Sequence, residues 1–360
     1  TYTVNTTTLL HSGTLDVDSN DLNVTATTSA TFSGGVNVAQ DVTIDAAETA
    51  FVTALVVGRD YDVTASTRLI NGGQVSVGND ITILTDELDF TGGTESVSAP
   101  GVLTILPFSD DLLIQIGTAA TASLSTLDLI DRDINALKDG FHHIVIGRSS
   151  GDAGSVLIDE ILVQDNLAVF GEAIAVIGDF NVNGDVRLEA IENVDEPKSD
   201  VTIYGLLFVP PFTEFNGRLT ATGNISIIAH DSVIQNSGGH IIAETDNKTV
   251  DIHAVNGSIT MAGTATTFTR GGNIRLQAAG DIVIGTLDAR ETTDRTGAVL
   301  TNQATWGSVS LISDAGSIYG LENLDATIDV LAKDLRIEAA SSVGVDGSSM
   351  DFRLETEVET

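Results

Sequence analysis

Cysteine is absent, which removes disulfide scaffolds, thiolate metal centres and cysteine nucleophiles. Basic side chains are scarce, 16 against 51 acidic, for a formal charge of −35. That sign repels phosphate backbones and anionic membranes, so nucleic acid is a poor partner and divalent cations are better ones. Long apolar runs are missing too. The most apolar stretch, Leu167 to Ile177, is interrupted by Glu172 and falls short of the ~18–20 residues of a membrane span. No Gly-x-Ser-x-Gly elbow, His-Glu-x-x-His helix or phosphate-cradling glycine loop occurs, so nucleophilic hydrolysis, zinc peptidase and nucleotide chemistry lose their strongest signals. Aromatics make up 5%, few for a β-sandwich core, which usually holds a Trp or Tyr anchor. The sequence opens at Thr1 without an initiator Met or a signal peptide and reads as a processed product or part of a longer chain.

What is present is a fold-forming composition, 42% hydrophobic with 35 Gly in 360 residues, too apolar for a disordered acidic tail. Its dominant pattern is a β-x-β triplet, a few turn residues ending in Asp, Asn or Ser, and a second triplet. Three copies share one spacing: Val36–Val38 through Asp41 to Val42–Ile44, Val75–Val77 through Asp80 to Ile81–Ile83, and Phe180–Val182 through Asp185 to Val186–Leu188. Looser copies cover 15–24, 224–235, 250–261, 273–284, 309–319 and 328–337. Alternation predicts short strands with one buried face, and the polar break predicts a corner. Leading strands recur every ~20–35 residues in the second half, which matches coils better than hairpins. The expected fold is all-β, a right-handed parallel β-helix (solenoid) of about 15 coils, with tandem β-sandwiches as the alternative. One stretch departs from this rhythm. Leu127, Leu129, Ile130, Ile134 and Leu137 recur at three- and four-residue steps before Gly140, which predicts a short helix at about 131–138 and a return strand by 147. The coils thus divide into 1–125, this interruption at 126–147, and 148–360.

The run Leu129-Ile130-Asp131-Arg132-Asp133-Ile134-Asn135-Ala136-Leu137, then Gly140 and Ile144-Val145-Ile146-Gly147, resembles a segment of filamentous-haemagglutinin-like exoproteins and very large bacterial surface adhesins. There a Leu-Thr-acid-x-Glu-Leu turn of helix precedes a Leu-x-Ile-Gly strand; here Ile130 stands where that family often has a capping Thr. The stretches 271–276 with 280–285, and 307–311 with 316–320, resemble the coil repeats of the same proteins. The resemblance implies a secreted, extracellular segment of a bacterial cell surface protein, structural or adhesive in function, building a filament or sheath.

Candidate chemistry is sparse. A β-helical polysaccharide lyase or hydrolase needs clustered Asp with an Arg or Lys base, yet the first 120 residues carry two basic side chains, Arg59 and Arg68. An enzyme is therefore not expected. Asp16, Asp18 and Asn20 mimic the opening of a calcium loop, but Asp21 and Thr27 stand where that loop needs Gly and Glu, which favours a solvated corner. No cofactor is required on this reading, and Ca²⁺ enters as a bridging cation. His142 and His143 are strand neighbours pointing to opposite faces, so they cannot chelate one ion together. Recognition of a surface glycan or protein receptor is expected on loop insertions at 192–200, 209–218 and 286–306, where Phe212, Phe215, Arg290, Arg295 and Trp306 offer stacking and charge. At the two ends, Tyr2 and Val4, and Phe352 and Leu354, alternate as open strand edges. They predict end-to-end pairing with further repeats or with a second copy.

Overall fold

The computed structural model describes residues 1–118, 126–150, 153–191, 200–203, 217–291, 303–321, 328–347, 350–352 and 354–358, with the side chains of 345–352 outside the description. The chain forms a parallel β-solenoid of about 14 turns, divided into two compact units.

The first unit, 1–157 with 161–170, starts with two-sheet coils. Strands Tyr2–His11, Leu22–Phe32, Val42–Phe51 and Tyr61–Asn71 lie parallel in one sheet, and Leu15–Val17, Val36–Val38, Leu55–Val57 and Val75–Val77 in another. Register runs Tyr2 to Leu22 to Val42 to Tyr61 to Ile81, about 20 residues per turn. Four of these strands span 10 or 11 residues, longer than the triplets predict. Each pairing is interrupted midway by a register shift, at Thr6/Thr8, Ala26/Ser29 and Ala46/Glu48. The irregularity bends one strand around two faces of the coil, and it also breaks the period-two pattern that marks a long strand in sequence.

Inward positions stack in register from coil to coil. Phe32 lies on Phe51 with ring centroids 4.8 Å apart and planes 6° off parallel, and Tyr61 meets Phe51 edge-on at 6.0 Å. Phe32 and Phe51 are register partners, and Tyr61 reaches Phe51 from the start of the next coil, so stacked and edge contacts add to area burial here. After Ile81–Thr85 the chain turns and Leu88–Phe90 returns onto the far half of Tyr61–Asn71, Leu88 facing Leu69. Short strands Ile114–Ile116, Leu127–Leu129 and Val156–Ile158 then build a third face.

The helix in this unit is Asp131–Asn135, shorter than the predicted 131–138. Its continuation is captured by the sheet: Leu137 bridges Val97, and Lys138 N–H bonds the Val97 carbonyl at 2.8 Å. Ladder pairing outcompetes another half-turn of helix that would have left these groups unpaired. Gly140, at φ 125°, turns the chain after this bridge and before the strand His143–Ile146, rather than ending the helix.

The second unit, 158–160 with 171–360, has three-sheet coils. One sheet takes Val186–Ala190, Ile225–Ala229, Val250–Ala254, Ile274–Ala278, Val309–Ser313 and Leu335–Ala339. A second takes the triplets Ile174–Val176, Val201–Ile203, Val233–Gln235, Ile259–Met261, Ile282–Ile284 and Ile318–Gly320. The third runs from Asp179–Val182 through Arg218–Ala221, His240–Asp246, Thr266–Arg270, Thr286–Asp288 and Val330–Ala332 to Thr356–Val358.

The recurrent Asp, Asn or Ser before each strand has a structural cause. A side-chain oxygen at this corner accepts the backbone N–H of the equivalent corner residue one coil later. Before the first sheet, Asp41 accepts from Asp60 and Asp60 from Asp80, both at 3.2 Å, and Asn224 accepts from Thr249 at 3.0 Å. Before the triplets of the second unit, Ser232 accepts from Ser258 at 3.2 Å, Ser258 from Asp281 at 3.0 Å and Asp281 from Ser317 at 2.7 Å. Corners are where the sheet ladder stops, so these N–H groups need another acceptor. Replacing Asp281 by Ala is expected to lower unfolding stability by about 1–3 kcal/mol, since the Ser317 N–H loses a charged acceptor. Asp281→Asn, which keeps an oxygen there, is expected to recover most of it. Equal losses in the two variants, measured by urea denaturation, would count against the ladder.

Candidate functional site

Within the first unit, the short helix, Leu88–Phe90, Leu127–Leu129 and Tyr61–Asn71 bring six charged side chains together. Glu87, Asp89, Asp128 and Asp133 are all buried, with exposures of 2–7%. Arg68, from Tyr61–Asn71, and Arg132, from the helix, both bond Asp89; Arg68 Nε lies 2.8 Å and Arg132 Nη2 2.5 Å from its carboxylate. Asp133 accepts the Phe90 N–H at 2.8 Å and the Ile130 N–H at 3.3 Å, which caps the helix where Ile130 has no polar side chain to do so. Asp128 accepts the Thr126 hydroxyl at 2.9 Å. Glu87 Oε2 is buried without a hydrogen-bond partner.

Burial first, then the negative charges of Asp89 and Asp128, push the Glu87 carboxyl up from its ordinary 4.5 to about 7, against the pull of Arg68. Asp133 rises to about 6, also through burial, against its two N–H bonds and Arg132. The cluster therefore contains a carboxyl group, Asp89, clamped by two guanidinium groups, and a neighbour, Glu87, that keeps its proton near neutrality.

Beyond the helix lies a groove of about 270 Å³, lined among others by Glu95, Asn135, Asp139, Leu162, Gln164 and Asp165. Glu95 takes a left-handed backbone at φ 55°. Asp165 is buried, accepts the Gly140 N–H at 2.9 Å, and is raised by burial and then by the Asp139 carboxylate. Sequence reading assigned none of these acids to a site; Asp133 entered it only as part of the helix run. They are spread over 78 residues, from Glu87 to Asp165, so no local spacing gathers them.

The residues that sequence reading did mark fall elsewhere. Asp16, Asp18 and Asn20 are exposed in the first unit, Asp16 in the middle of the strand Leu15–Val17, where it accepts the Asn37 amide at 2.7 Å, and Asp18 and Asn20 on the corner after it. Among the described residues, no group of three or more His, Asp or Glu is arranged to hold a metal ion. His142 is exposed and lies just before the strand His143–Ile146, on which His143 is half-buried, so the two histidines are not the strand neighbours that the sequence predicts.

Trp306 corrects the expectation of a sugar-stacking loop. It is 3% exposed, with the Arg290 guanidinium 6.0 Å from its ring, and Arg290 also bonds Asp288 at 2.9–3.0 Å. A large ring gains more from burial beside a cation than from exposure. The insertion at 286–306 likewise begins inside the sheet: Thr286–Asp288 is a strand and Ala289 is fully buried, its N–H on the Leu331 carbonyl. Arg218, at the end of the 209–218 insertion, opens the strand Arg218–Ala221. Phe212, Phe215, Arg295 and residues 192–199 lie outside the described residues.

At the edges, Tyr2 is 52% exposed and Val4 half-buried; their strand pairs with Leu22–Phe32 and with no other strand among the described residues. Phe352 lies in a two-stranded sheet apart from the coil sheets. Met350–Phe352 pairs antiparallel with Val345–Gly347, Phe352 facing Val345, so its backbone already has a partner strand. Leu354 is half-buried outside any strand.

Compared with protein-family models, curated proteins and solved structures, the chain matches none. No described helix is long and apolar enough to cross a membrane.

Proposed function

We propose that the chain is a structural, adhesive segment of a secreted bacterial surface protein, its coils pairing end to end with further repeats of a parent chain or with a second copy to build a filament or sheath. The observation that carries this reading is the use of the acids: coil after coil, in both units, corner side chains serve as backbone acceptors instead of converging on an open cleft. Such a repeat is a scaffold whose stability grows by nearest-neighbour contacts. The exposed strand Tyr2–His11 supports the self-pairing part, since an uncovered parallel edge is a template for further strands. Ca²⁺ bridging carboxylates between copies fits the net charge of −35.

Tyr2 N–H points to the Asp21 carbonyl, so the N–H groups of Thr3 and Asn5 face away from the sheet. Proline at Asn5 therefore blocks strand addition without removing an internal bond. End-to-end assemblies are expected in electron micrographs of the concentrated protein and lost in Asn5→Pro, with circular dichroism unchanged. Dispersed single particles of the parent protein at high concentration, with and without Ca²⁺, would overturn the self-pairing.

A polysaccharide lyase or hydrolase is the alternative reading, favoured by the groove that holds Asp165 beside Asp139. Release of new chain ends from a glycan polymer, abolished in Asp165→Asn, would establish it in place of the scaffold.

A further inference from the structure

The cluster beside the helix has more acids than the scaffold needs. Among the described residues, the charged groups acting on Glu87 are Arg68 from the strand Tyr61–Asn71, Asp89 from Leu88–Phe90, Asp128 from Leu127–Leu129 and Asp133 from the helix, with Arg132 beside Asp89 and Asp133. Glu48, one strand further on, acts on Arg68. Ile161–Val163, which packs on the helix, carries no titratable side chain. Both guanidinium groups are committed to Asp89. Ionised, Glu87 adds one more buried acceptor beside carboxylates that are themselves acceptors, and its Oε2 has no hydrogen-bond partner to offset the loss of water; protonated, it carries no charge against them.

The helix is fastened to Leu88–Phe90 through the same neighbours. Arg132 reaches Asp89 from the helix, and Asp133 holds the Phe90 N–H. Ile134, Asn135 and Leu137, on and just after the helix, line the adjoining groove.

We infer that Glu87 is a proton-operated latch: protonated, it lets the helix stay docked on Leu88–Phe90, and ionised, it loosens that docking together with the helix wall of the groove. The ionisation lies close to neutral pH, because burial and three carboxylates oppose it. The local opening is separable from global unfolding, as short segments with few partners open first.

Hydrogen exchange on the full chain between pH 5.5 and 8.5, expressed as protection relative to intrinsic rates, tests this. Amides of Phe90, Ala136 and Leu137 are expected to lose protection by about 100-fold as pH rises through 7, while Ile44 and Val63 in the first coils stay unchanged. Glu87→Gln, neutral at every pH, is expected to flatten the profile. Asp128→Asn, which removes one opposing charge, is expected to move its midpoint to lower pH. A flat profile in the parent protein, or the same slope in Glu87→Gln, would overturn the latch. So would restoration of protection at pH 8.5 by millimolar Ca²⁺ alone, which would make the cluster a cation site instead.

Discussion

Chemical denaturation is expected to find the protein about 3–5 kcal/mol more stable at pH 5 than at pH 8, opposite to the acid lability common among proteins with ion-paired carboxylates. Glu87 at about 7, and Asp133 and Asp329 at about 6, hold protons in the folded state that the unfolded chain has released by pH 5. Each group's stabilisation is complete below its unfolded pKa near 4 and is lost as pH climbs through the folded value. The window is therefore about pH 4 to 7.5. His240 acts in the other sense, since burial and then Arg218 depress it, so the unfolded chain gains the proton first as pH falls below 6.5. That single opposing group is outweighed by three carboxyls. Asp41, lowered chiefly by its bond to Arg59, titrates below this window. Trp306, the sole Trp, is buried in the second unit and reports the Asp329 share by fluorescence, whereas Glu87 and Asp133 belong to the first unit. Stability that is equal or greater at pH 8, followed by urea titration, would reject the assignment of these acids as proton-bearing.

The second large effect is expected in the aromatic column. Phe51, 1% exposed, stacks on Phe32 and receives the edge of Tyr61. Phe51→Ala is expected to cost about 3–5 kcal/mol, from lost transfer energy and from a cavity that pinned coils above and below cannot fill. Phe51→Leu is expected to cost less than half of that. A loss below about 1 kcal/mol for the alanine variant, from urea midpoints at constant slope, would mean that the column collapses freely and is not held in register.

The triplets Val36–Val38 and Val75–Val77 are strands with the predicted bounds, and the strand predicted at Phe180–Val182 starts one residue earlier, at Asp179. They were legible because a triplet with two inward residues and a polar corner carries its own period. The far halves of Leu22–Phe32 and Val42–Phe51 were not, because the mid-strand irregularity changes which side faces inward. The three- and four-residue apolar steps before Gly140 marked the helix, but its early end depends on Val97, some forty residues away. The carboxylate cluster had no sequence signal at all. Glu87, Asp128 and Asp133 look like ordinary surface acids until Leu88–Phe90 returns onto Tyr61–Asn71 and the helix covers them. Trp306 was misread for a related reason: as the only Trp beside arginines it suggested a binding loop, and only the sheet continuing through Thr286–Asp288 shows that it is interior.

The corner ladder has a direction in time. In Asp41 to Asp60, Asp60 to Asp80, Ser258 to Asp281 and Asp281 to Ser317, the accepting oxygen precedes the donating amide in the chain. A ribosome therefore delivers each acceptor about 20–35 residues, or a few seconds, before the amide it will receive. Every coil emerges to find its docking oxygens already in place, and pairing partners stay near in sequence, which keeps loop-closure costs low for a sheet protein. Secondary structure of this kind suits folding by sequential addition from the amino-terminal side, each finished coil acting as the template for the next.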